Sequence, residues 1–254
     1  MQNPHYFPNN NVFNVPYIPY FCYALTAMKY AGKDVELIIF DLDGTLIDSS
    51  GIWDEVDRVF FASHGLPLPS HYGKEIAVMG LSKGAEYTRD TYFPSLSKEE
   101  ILGEWDALAK KEYEENIPLK DGAIAFLDYC ASSGIPLVVA TSNSPSLYQP
   151  CLRRLGLEKY FQSYIDAEEV PSGKDSTKMY DTLVKRFDAH IENTLVIEDS
   201  LKPLCLAAKA GYLTLGVYDE KMTKDPKEHQ KAANYFAFSL KEALMLLKKE
   251  NNHD

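Results

Sequence analysis

Residues 35–45 read Val35-Glu36-Leu37-Ile38-Ile39-Phe40-Asp41-Leu42-Asp43-Gly44-Thr45, a short apolar run that ends in two aspartates and a glycine. Such a run is typical of a strand that is buried on both faces of a sheet. In an open parallel sheet, ligands bind beyond the carboxyl ends of the strands. Two carboxylates at that place make an oxygen-rich site suited to a hard cation such as Mg2+. The alternative is an Asp-Gly turn that only ends the strand.

Further apolar runs of the same kind follow along the chain, and helical periodicity separates them. They cover residues 135–140, 164–165, 194–197 and 213–217. Between them, residues 179–187 repeat apolar side chains on one face of a helix. Strands that alternate with single helices require right-handed crossovers. The sequence therefore predicts an α/β fold, a Rossmann-like doubly wound parallel sheet with helices on both faces.

One interval, residues 49–119, interrupts this alternation because it contains helical signals and no convincing strand. Ser97 and Glu100 stand three residues apart before an apolar helical face, which is the pattern of a capping box. We therefore expect an all-helical cap domain over residues 49–119. It would be inserted into a core domain made of residues 34–48 and 120–254.

The first residues form a segment of different composition, which we treat as an N-terminal arm over residues 1–33. Up to Lys29 the segment holds no charged residue and is rich in Asn, Pro and Tyr. Pro16 and Pro19 interrupt it, so it does not have the unbroken apolar stretch of a secretory signal. We expect residues 1–27 to be dispensable, with Met28 as the natural start.

Composition excludes several classes of protein. Lys plus Arg (26) minus Asp plus Glu (37) leaves a net charge of −11, which disfavours binding to nucleic acid or to an anionic membrane surface. No apolar run approaches the ~18 residues that a membrane span needs. The four cysteines have no C-x-x-C spacing, and the six histidines have no metal-ligand spacing. These features favour a cytoplasmic enzyme. Nothing in the sequence assigns an oligomeric state.

Polar clusters also follow the later apolar runs. Thr141, Ser142 and Asn143 offer hydroxyl and amide groups suited to phosphate oxygens, and Glu198-Asp199 is a second acidic pair. Lys174 lies in a loop between them. Taken singly, each cluster could cap a helix, and the lysine could be solvated. Together they lie at successive strand ends or helix starts, which favours a common site.

In this order, these residues resemble the haloacid dehalogenase superfamily of phosphotransferases. Residues 41–45 resemble its first motif, Thr141 its second, Lys174 its third and Glu198-Asp199 its fourth. The resemblance covers about residues 35 to 245. The helical insert resembles that of the subfamily of beta-phosphoglucomutase and the small sugar-phosphate phosphatases.

The resemblance implies a Mg2+-dependent phosphatase for a small phosphorylated metabolite such as a sugar or polyol phosphate. Asp41 would attack phosphorus to form an aspartyl-phosphate, and Asp43 would be the acid and base. Mg2+ would be held by Asp41, the backbone carbonyl of Asp43 and Asp199, with Glu198 behind these ligands. Lys174, with the group Thr141, Ser142 and Asn143, would hold phosphate oxygens.

Two departures from the family pattern leave questions. The third motif reads Lys174-Asp175-Ser176-Thr177 instead of Lys-Pro-x-Pro, so Lys178 is a rival to Lys174 for the phosphate. Lys202 adds an unexpected cation near the fourth motif.

Several alternatives differ in a single residue or motif. The pattern of the dehalogenases lacks an acid two residues after the nucleophile, because a halide leaves without a proton. The presence of Asp43 therefore argues against dehalogenation. A beta-phosphoglucomutase-like phosphotransferase is the main alternative, but the histidine associated with the mutases is replaced here by Trp53, which we assign with Lys83 to substrate binding by the cap. A non-catalytic binding protein is a remote alternative, since no motif residue is missing. Residues 80–84 match the G-x-S-x-G pattern of serine hydrolases, although no oxyanion segment precedes them.

Overall fold

A six-stranded parallel sheet forms the core of the protein. The computed structural model describes residues 28–76 and 79–251. The strands lie in the order β5-β4-β3-β6-β7-β8, and every pair of neighbours is parallel. Their bounds are β3 Leu37–Phe40, β4 Leu137–Ala140, β5 Ser163–Ile165, β6 Thr194–Glu198, β7 Leu213–Val217 and β8 Tyr235–Ala237. The predicted α/β fold with a parallel sheet is confirmed.

Helices cover both faces of this sheet. They are α5 Ala123–Ser132, α6 Pro145–Arg154, α7 Lys178–Phe187, α8 Leu201–Ala210, α9 Pro226–Ala232 and α10 Leu240–Asn251. Successive residues of β3 point to opposite faces, because side chains alternate along a strand. Ile38 and Phe40 belong to the apolar cluster that contains α5 and α10, whereas Leu37 and Ile39 belong to the cluster that contains α7. Burial on both faces explains why β3 reads as a continuous apolar run.

Four helices lie in the described part of the predicted insert, and we call these helices the cap. They are α1 Ile52–Ser63, α2 Tyr72–Ile76, α3 Leu81–Thr91 and α4 Lys98–Glu115. Aromatic rings fill the space between them; Phe60 lies 5.2 Å from Phe93 and 6.0 Å from Trp105, measured between ring centroids. The capping box is confirmed: Glu100 N–H donates to Ser97 Oγ, and Ser97 N–H donates to Glu100 Oε2.

Two paired chain segments join the cap to the core. The backbone N–H of Asp48 donates to the carbonyl of Pro118 (2.9 Å), and that of Lys120 donates to Leu46 (2.9 Å). The guanidinium of Arg154, on α6, donates to the carbonyl of Ile117 (2.6 Å) at the end of the cap. These contacts hold the cap over the carboxyl ends of the strands.

A short antiparallel ribbon precedes the sheet. Its strands are β1 Lys29–Tyr30 and β2 Lys33–Asp34. Tyr30 is fully buried, and its hydroxyl donates to the carbonyl of Thr214 (2.8 Å). The last residues of the predicted arm therefore pack on the core, whereas residues 1–27 lie outside the described residues. Within the described ranges, no helix is long and apolar enough to cross a bilayer.

Candidate active site

The carboxyl ends of the central strands open into a cavity of about 1030 Å³ beneath the cap. Asp41 follows β3, Asp199 follows β6 and Asp219 lies just beyond β7. Parallel strands end at the same edge of a sheet, so residues far apart in sequence meet there. All three carboxylates line the cavity.

Asp41, Glu198 and Asp199 form a compact acidic cluster. One carboxylate oxygen from each lies within 4.8 Å of the others, and all three side chains are buried. Asp41 Oδ2 and Asp199 Oδ2 have no hydrogen-bond partner among the described residues. Gly44 makes room for this cluster: its φ is +82°, and a Cβ there would lie 2.3 Å from Asp199 Oδ2. Only glycine meets both conditions without strain.

Lys174 is the cation of this cluster. Its Nζ donates to Asp41 Oδ1 and to Glu198 Oε2, the latter at 2.6 Å. Tyr180 donates from the other side to Glu198 Oε2 (3.3 Å). Lys178, the rival from sequence, is exposed at the start of α7. Glu198 thus contacts Asp41 through the ammonium group of Lys174.

Burial dominates the ionisation of the cluster. Burial and the charge of Glu198 together raise the pKa of Asp41 to about 7, although the ammonium group of Lys174 opposes them. Burial and the charge of Asp41 likewise raise the pKa of Asp199 well above its usual range. Burial alone would lower the pKa of Lys174, but Asp41 and Glu198 hold it above the ordinary value. Three buried carboxylates against one ammonium leave an excess of negative charge, which is costly unless it is neutralised.

Asp43 is held by donors from three parts of the protein. Ser49 Oγ donates to its Oδ1 (2.7 Å) from the connection to the cap, and the hydroxyl of Tyr113 donates to the same oxygen from α4. Asn143 Nδ2 donates to Oδ2 (2.7 Å) from the core, and also to the Tyr113 hydroxyl (2.7 Å). Of these contacts, the one from Tyr113 joins the cap to the core, so the Asp43 carboxylate is oriented in part by the cap.

Sequence reasoning missed Ser49 and Tyr113. A signal for Tyr113 was present, because Ile101, Trp105, Ala109 and Tyr113 recur every four residues along α4 and all four are buried. Only the packing of α4 on α6 shows that the last member of this series reaches Asp43.

The remaining predicted phosphate ligands occupy different places. Ser142 lines the cavity beside Gly173. Thr141 is fully buried outside the cavity lining, and its hydroxyl accepts a hydrogen bond from the backbone N–H of Asn143 (3.2 Å). Asn143 itself lines the cavity with its amide turned to Asp43, which sequence reasoning did not foresee.

Other polar residues that the sequence singled out also receive a place. Trp53 lines the cavity and is 44% exposed. Lys83 is exposed and lies outside the cavity lining. Lys202 pairs with Asp175 (2.6 Å), and both side chains are largely exposed.

The stretch at residues 80–84 does not form a nucleophile elbow. Ser82 is exposed in the first turn of α3. The nearest described element before it is helix α2, which ends at Ile76, and not a strand. An elbow needs a strand directly before the serine. The pattern in this chain is therefore a helix start in the cap.

Comparison with known proteins agrees with this geometry. The family model for haloacid dehalogenase-like hydrolases matches residues 35–211, and the chain belongs to that family. The chain is 28% identical over 177 residues to a phosphorylated carbohydrates phosphatase of Thermotoga maritima, which covers 70% of this chain and 82% of the relative. It is 26% identical over 198 residues to a phosphoglycolate phosphatase of Neisseria gonorrhoeae, covering 75% of this chain and 83% of the relative. Among solved structures, a candidate beta-phosphoglucomutase of Thermotoga maritima superposes with a TM-score of 0.77 at 27% identity, covering 85% of this chain and 99% of that one.

Proposed function

We propose that the protein is a Mg2+-dependent phosphatase that hydrolyses small phosphomonoesters, sugar or polyol phosphates, through an aspartyl-phosphate on Asp41. The observation that carries the proposal is the free Oδ2 of Asp41, which is buried beside Asp199 and Lys174 at the floor of the cavity. A carboxylate so placed is available as a nucleophile. The phosphatase names of two relatives support the same reaction class.

The acidic cluster fits a divalent cation. Carboxylate oxygens of Asp41, Glu198 and Asp199 lie within 4.8 Å of one another, Asp199 Oδ2 has no hydrogen-bond partner in the described part of the chain, and hard oxygen ligands are those that Mg2+ prefers. We assign Asp41, the backbone carbonyl of Asp43 and Asp199 as the residues that would hold it. Glu198 would support them through Lys174. When bound, the cation would draw charge from the phosphate oxygens and so lower the barrier to attack by a carboxylate.

Asp41 and Asp43 divide the chemistry. The Asp41 carboxylate forms a bond to phosphorus while the bond from phosphorus to the leaving oxygen breaks, and Asp43 in its acid form gives that oxygen a proton. Asp43 then takes a proton from water, which attacks phosphorus, releases phosphate and restores Asp41. Lys174 and Ser142 would balance charge on the phosphate oxygens; the pairing of Lys174 with Asp41 and Glu198 keeps its ammonium group in position.

A beta-phosphoglucomutase-like phosphotransferase is the second candidate, favoured by the likeness to the Thermotoga maritima structure. A mutase must keep water from the aspartyl-phosphate until a sugar hydroxyl arrives. No histidine lines the cavity among residues 28–76 and 79–251, and Trp53 cannot exchange a proton at neutral pH. We therefore propose water as the acceptor. A cytoplasmic location is part of this proposal, as is the lack of a nucleic-acid partner, which the net charge of −11 supports.

Phosphate release tests the proposal. Wild-type protein with Mg2+ should hydrolyse phenyl phosphate and sugar phosphates, and removal of the metal by EDTA should abolish the reaction. Asp41→Asn should lose several orders of magnitude in kcat while the protein stays folded, because it removes the nucleophile and keeps the size of the side chain. Undiminished hydrolysis by this variant would overturn the proposal. With glucose 1-phosphate and its bisphosphate, phosphate release should outpace formation of glucose 6-phosphate; the reverse would indicate a mutase.

A further inference from the structure

The cap wall of the cavity carries a buried carboxylate that the reaction does not use. Asp57, on α1, is 6% exposed and lines the cavity. Within the described residues it accepts no hydrogen bond, and the other charge that acts on it is the like charge of Asp54. Burial, followed by Asp54, raises the pKa of Asp57 to about 7. A buried carboxylate without a donor costs free energy in the empty protein, and a ligand that supplies a donor recovers it.

A second unpaired polar group belongs to the same wall. Trp105, on α4, also lines the cavity and is 3% exposed. Its indole N–H has no acceptor among the described residues. The Trp105 ring lies 6.0 Å from that of Phe60, which stands one helical turn beyond Asp57 on α1. An acceptor and a donor without partners among the described residues thus belong to the lining of the same cavity, one on α1 and the other on α4.

The charges around the cavity restrict what can bind beyond the phosphate. Three lysines line it, and each is paired with an acid: Lys174 with Asp41 and Glu198, Lys202 with Asp175, and Lys221 with Asp54. Eight acidic side chains line the same cavity, namely Asp41, Asp43, Asp54, Asp57, Asp175, Glu198, Asp199 and Asp219. In the described part of the cap wall there is no cation. A second anionic group on the substrate would meet like charge there.

We propose that Asp57 and the indole N–H of Trp105 form a subsite that binds a hydroxyl group of the leaving alcohol. The enzyme thereby selects neutral, polyhydroxylated phosphomonoesters and rejects those whose leaving group carries a carboxylate or a second phosphate. A hydroxyl both donates and accepts, so it satisfies both groups, whereas an ammonium would leave the indole N–H unpaired. The inference rests on the proposed phosphatase activity and adds to it the residues that select the leaving group.

Matched substrates test this subsite. Sorbitol 6-phosphate and 6-phosphogluconate have the same chain length, but the second ends in a carboxylate; phenyl phosphate has neither hydroxyl nor charge in its leaving group. Wild-type kcat/KM should be about tenfold or more higher for sorbitol 6-phosphate than for 6-phosphogluconate, the ratio expected for one charged hydrogen bond. Asp57→Asn should lower kcat/KM for sorbitol 6-phosphate about tenfold, reduce this discrimination, and leave phenyl phosphate unchanged. Trp105→Phe should act in the same direction on sorbitol 6-phosphate.

Glu55→Gln is the matched control, because Glu55 is an acid on the same helix that is paired with Arg58 and lies outside the cavity lining. It should leave the ratio of the two sugar substrates as in the wild type. Loss with all three substrates after Asp57→Asn, no loss with any, or a wild-type preference for 6-phosphogluconate would overturn the subsite. In the 1-amino-1-deoxy analogue of sorbitol 6-phosphate, an ammonium group replaces one hydroxyl. A preference of the wild-type enzyme for this analogue would also overturn the proposed subsite.

Two readouts separate this inference from the phosphatase proposal. Wild-type protein that releases phosphate from none of the substrates would refute the activity, not the subsite. Calorimetric binding of sorbitol 6-phosphate to Asp41→Asn protein, with and without Asp57→Asn, judges the subsite without turnover. Weaker binding in the double variant, at an undiminished melting temperature, supports the subsite; equal binding refutes it.

Discussion

Tyr113 offers a direct way to test whether the cap positions the acid and base of the reaction. Tyr113→Phe removes the hydroxyl that donates to Asp43 Oδ1 and keeps the ring, which is 4% exposed between cap and core. A hydrogen bond to a charged group contributes ~1.5–3 kcal/mol. Ser49 and Asn143 would still donate to Asp43, so we take the lower end of that range. About 1.5 kcal/mol corresponds to about a tenfold loss of rate.

Steady-state kinetics of phosphate release measure this loss. We expect kcat to fall about tenfold while KM changes little, because the lost hydrogen bond orients Asp43 for proton transfer. Tyr87→Phe is the matched control, since the Tyr87 hydroxyl also donates to a carboxylate, that of Glu75, but inside the cap. Its kcat should equal that of the wild type. An unchanged kcat in Tyr113→Phe, or an equal loss in both variants, would refute the role of Tyr113.

Three further predictions concern stability and the limits of the fold. Asp57→Asn should raise the melting temperature by a few degrees at pH 8 and by less at pH 5, which thermal scans at both pH values check. The pKa of Asp57 is raised to about 7, so ionisation of this buried side chain destabilises the folded protein as the pH rises from about 4 to 7; screening by solvent reduces the effect to about 1–2 kcal/mol. Gly44→Ala should lower both melting temperature and kcat, because its Cβ would displace Asp199; a variant with wild-type values contradicts the crowding. A protein that begins at Met28 should match the full chain in melting temperature and activity, and a large loss in either would show that residues 1–27 pack against the remainder.

The sheet could be predicted where its strands are buried on both faces. The runs that became β3, β4, β6 and β7 are fully buried, so their sequences are continuously apolar. Strand β8 was not predicted because it is short and half-buried at the edge of the sheet. Helices α9 and α10, which follow β7, were not predicted either. Edge elements carry a weaker hydrophobic signal, since one side faces solvent.

The site residues of the core could be predicted from their positions at the ends of strands, whereas the contacts made by the cap could not. Asp41, Lys174, Glu198 and Asp199 come together because the strands and loops that carry them reach the same edge of the sheet. The amide of Asn143 donates to Asp43 and to the Tyr113 hydroxyl of the cap, and the sequence did not indicate either contact. Contacts across cap and core depend on how two helical surfaces pack, and the periodicity of one helix does not determine the position of another.

Within the cap, the sequence indicated which faces are apolar but not which polar groups remain unpaired on them. Asp57 lies next to Val56 on the buried side of α1. From the sequence alone, an aspartate at this position would be assigned to the surface. The indole of Trp105 reads as core, and its unpaired N–H is visible only when the neighbouring side chains are placed.

The central claim, that Asp41 carries the phosphoryl group, is tested most directly by capture of the intermediate. Asp43→Asn protein is mixed with phenyl phosphate and Mg2+, quenched in acid and digested, and the peptide that contains Asp41 is examined by mass spectrometry. Phenolate leaves without help from an acid, but hydrolysis of the intermediate needs the base, so the aspartyl-phosphate should accumulate. We predict that this peptide gains the mass of one phosphoryl group, and that Asp41→Asn protein gains none. Two results would contradict the account. One is turnover by the wild-type protein with no phosphorylated peptide in the wild-type or the Asp43→Asn protein, and the other is a phosphoryl group on a residue other than Asp41.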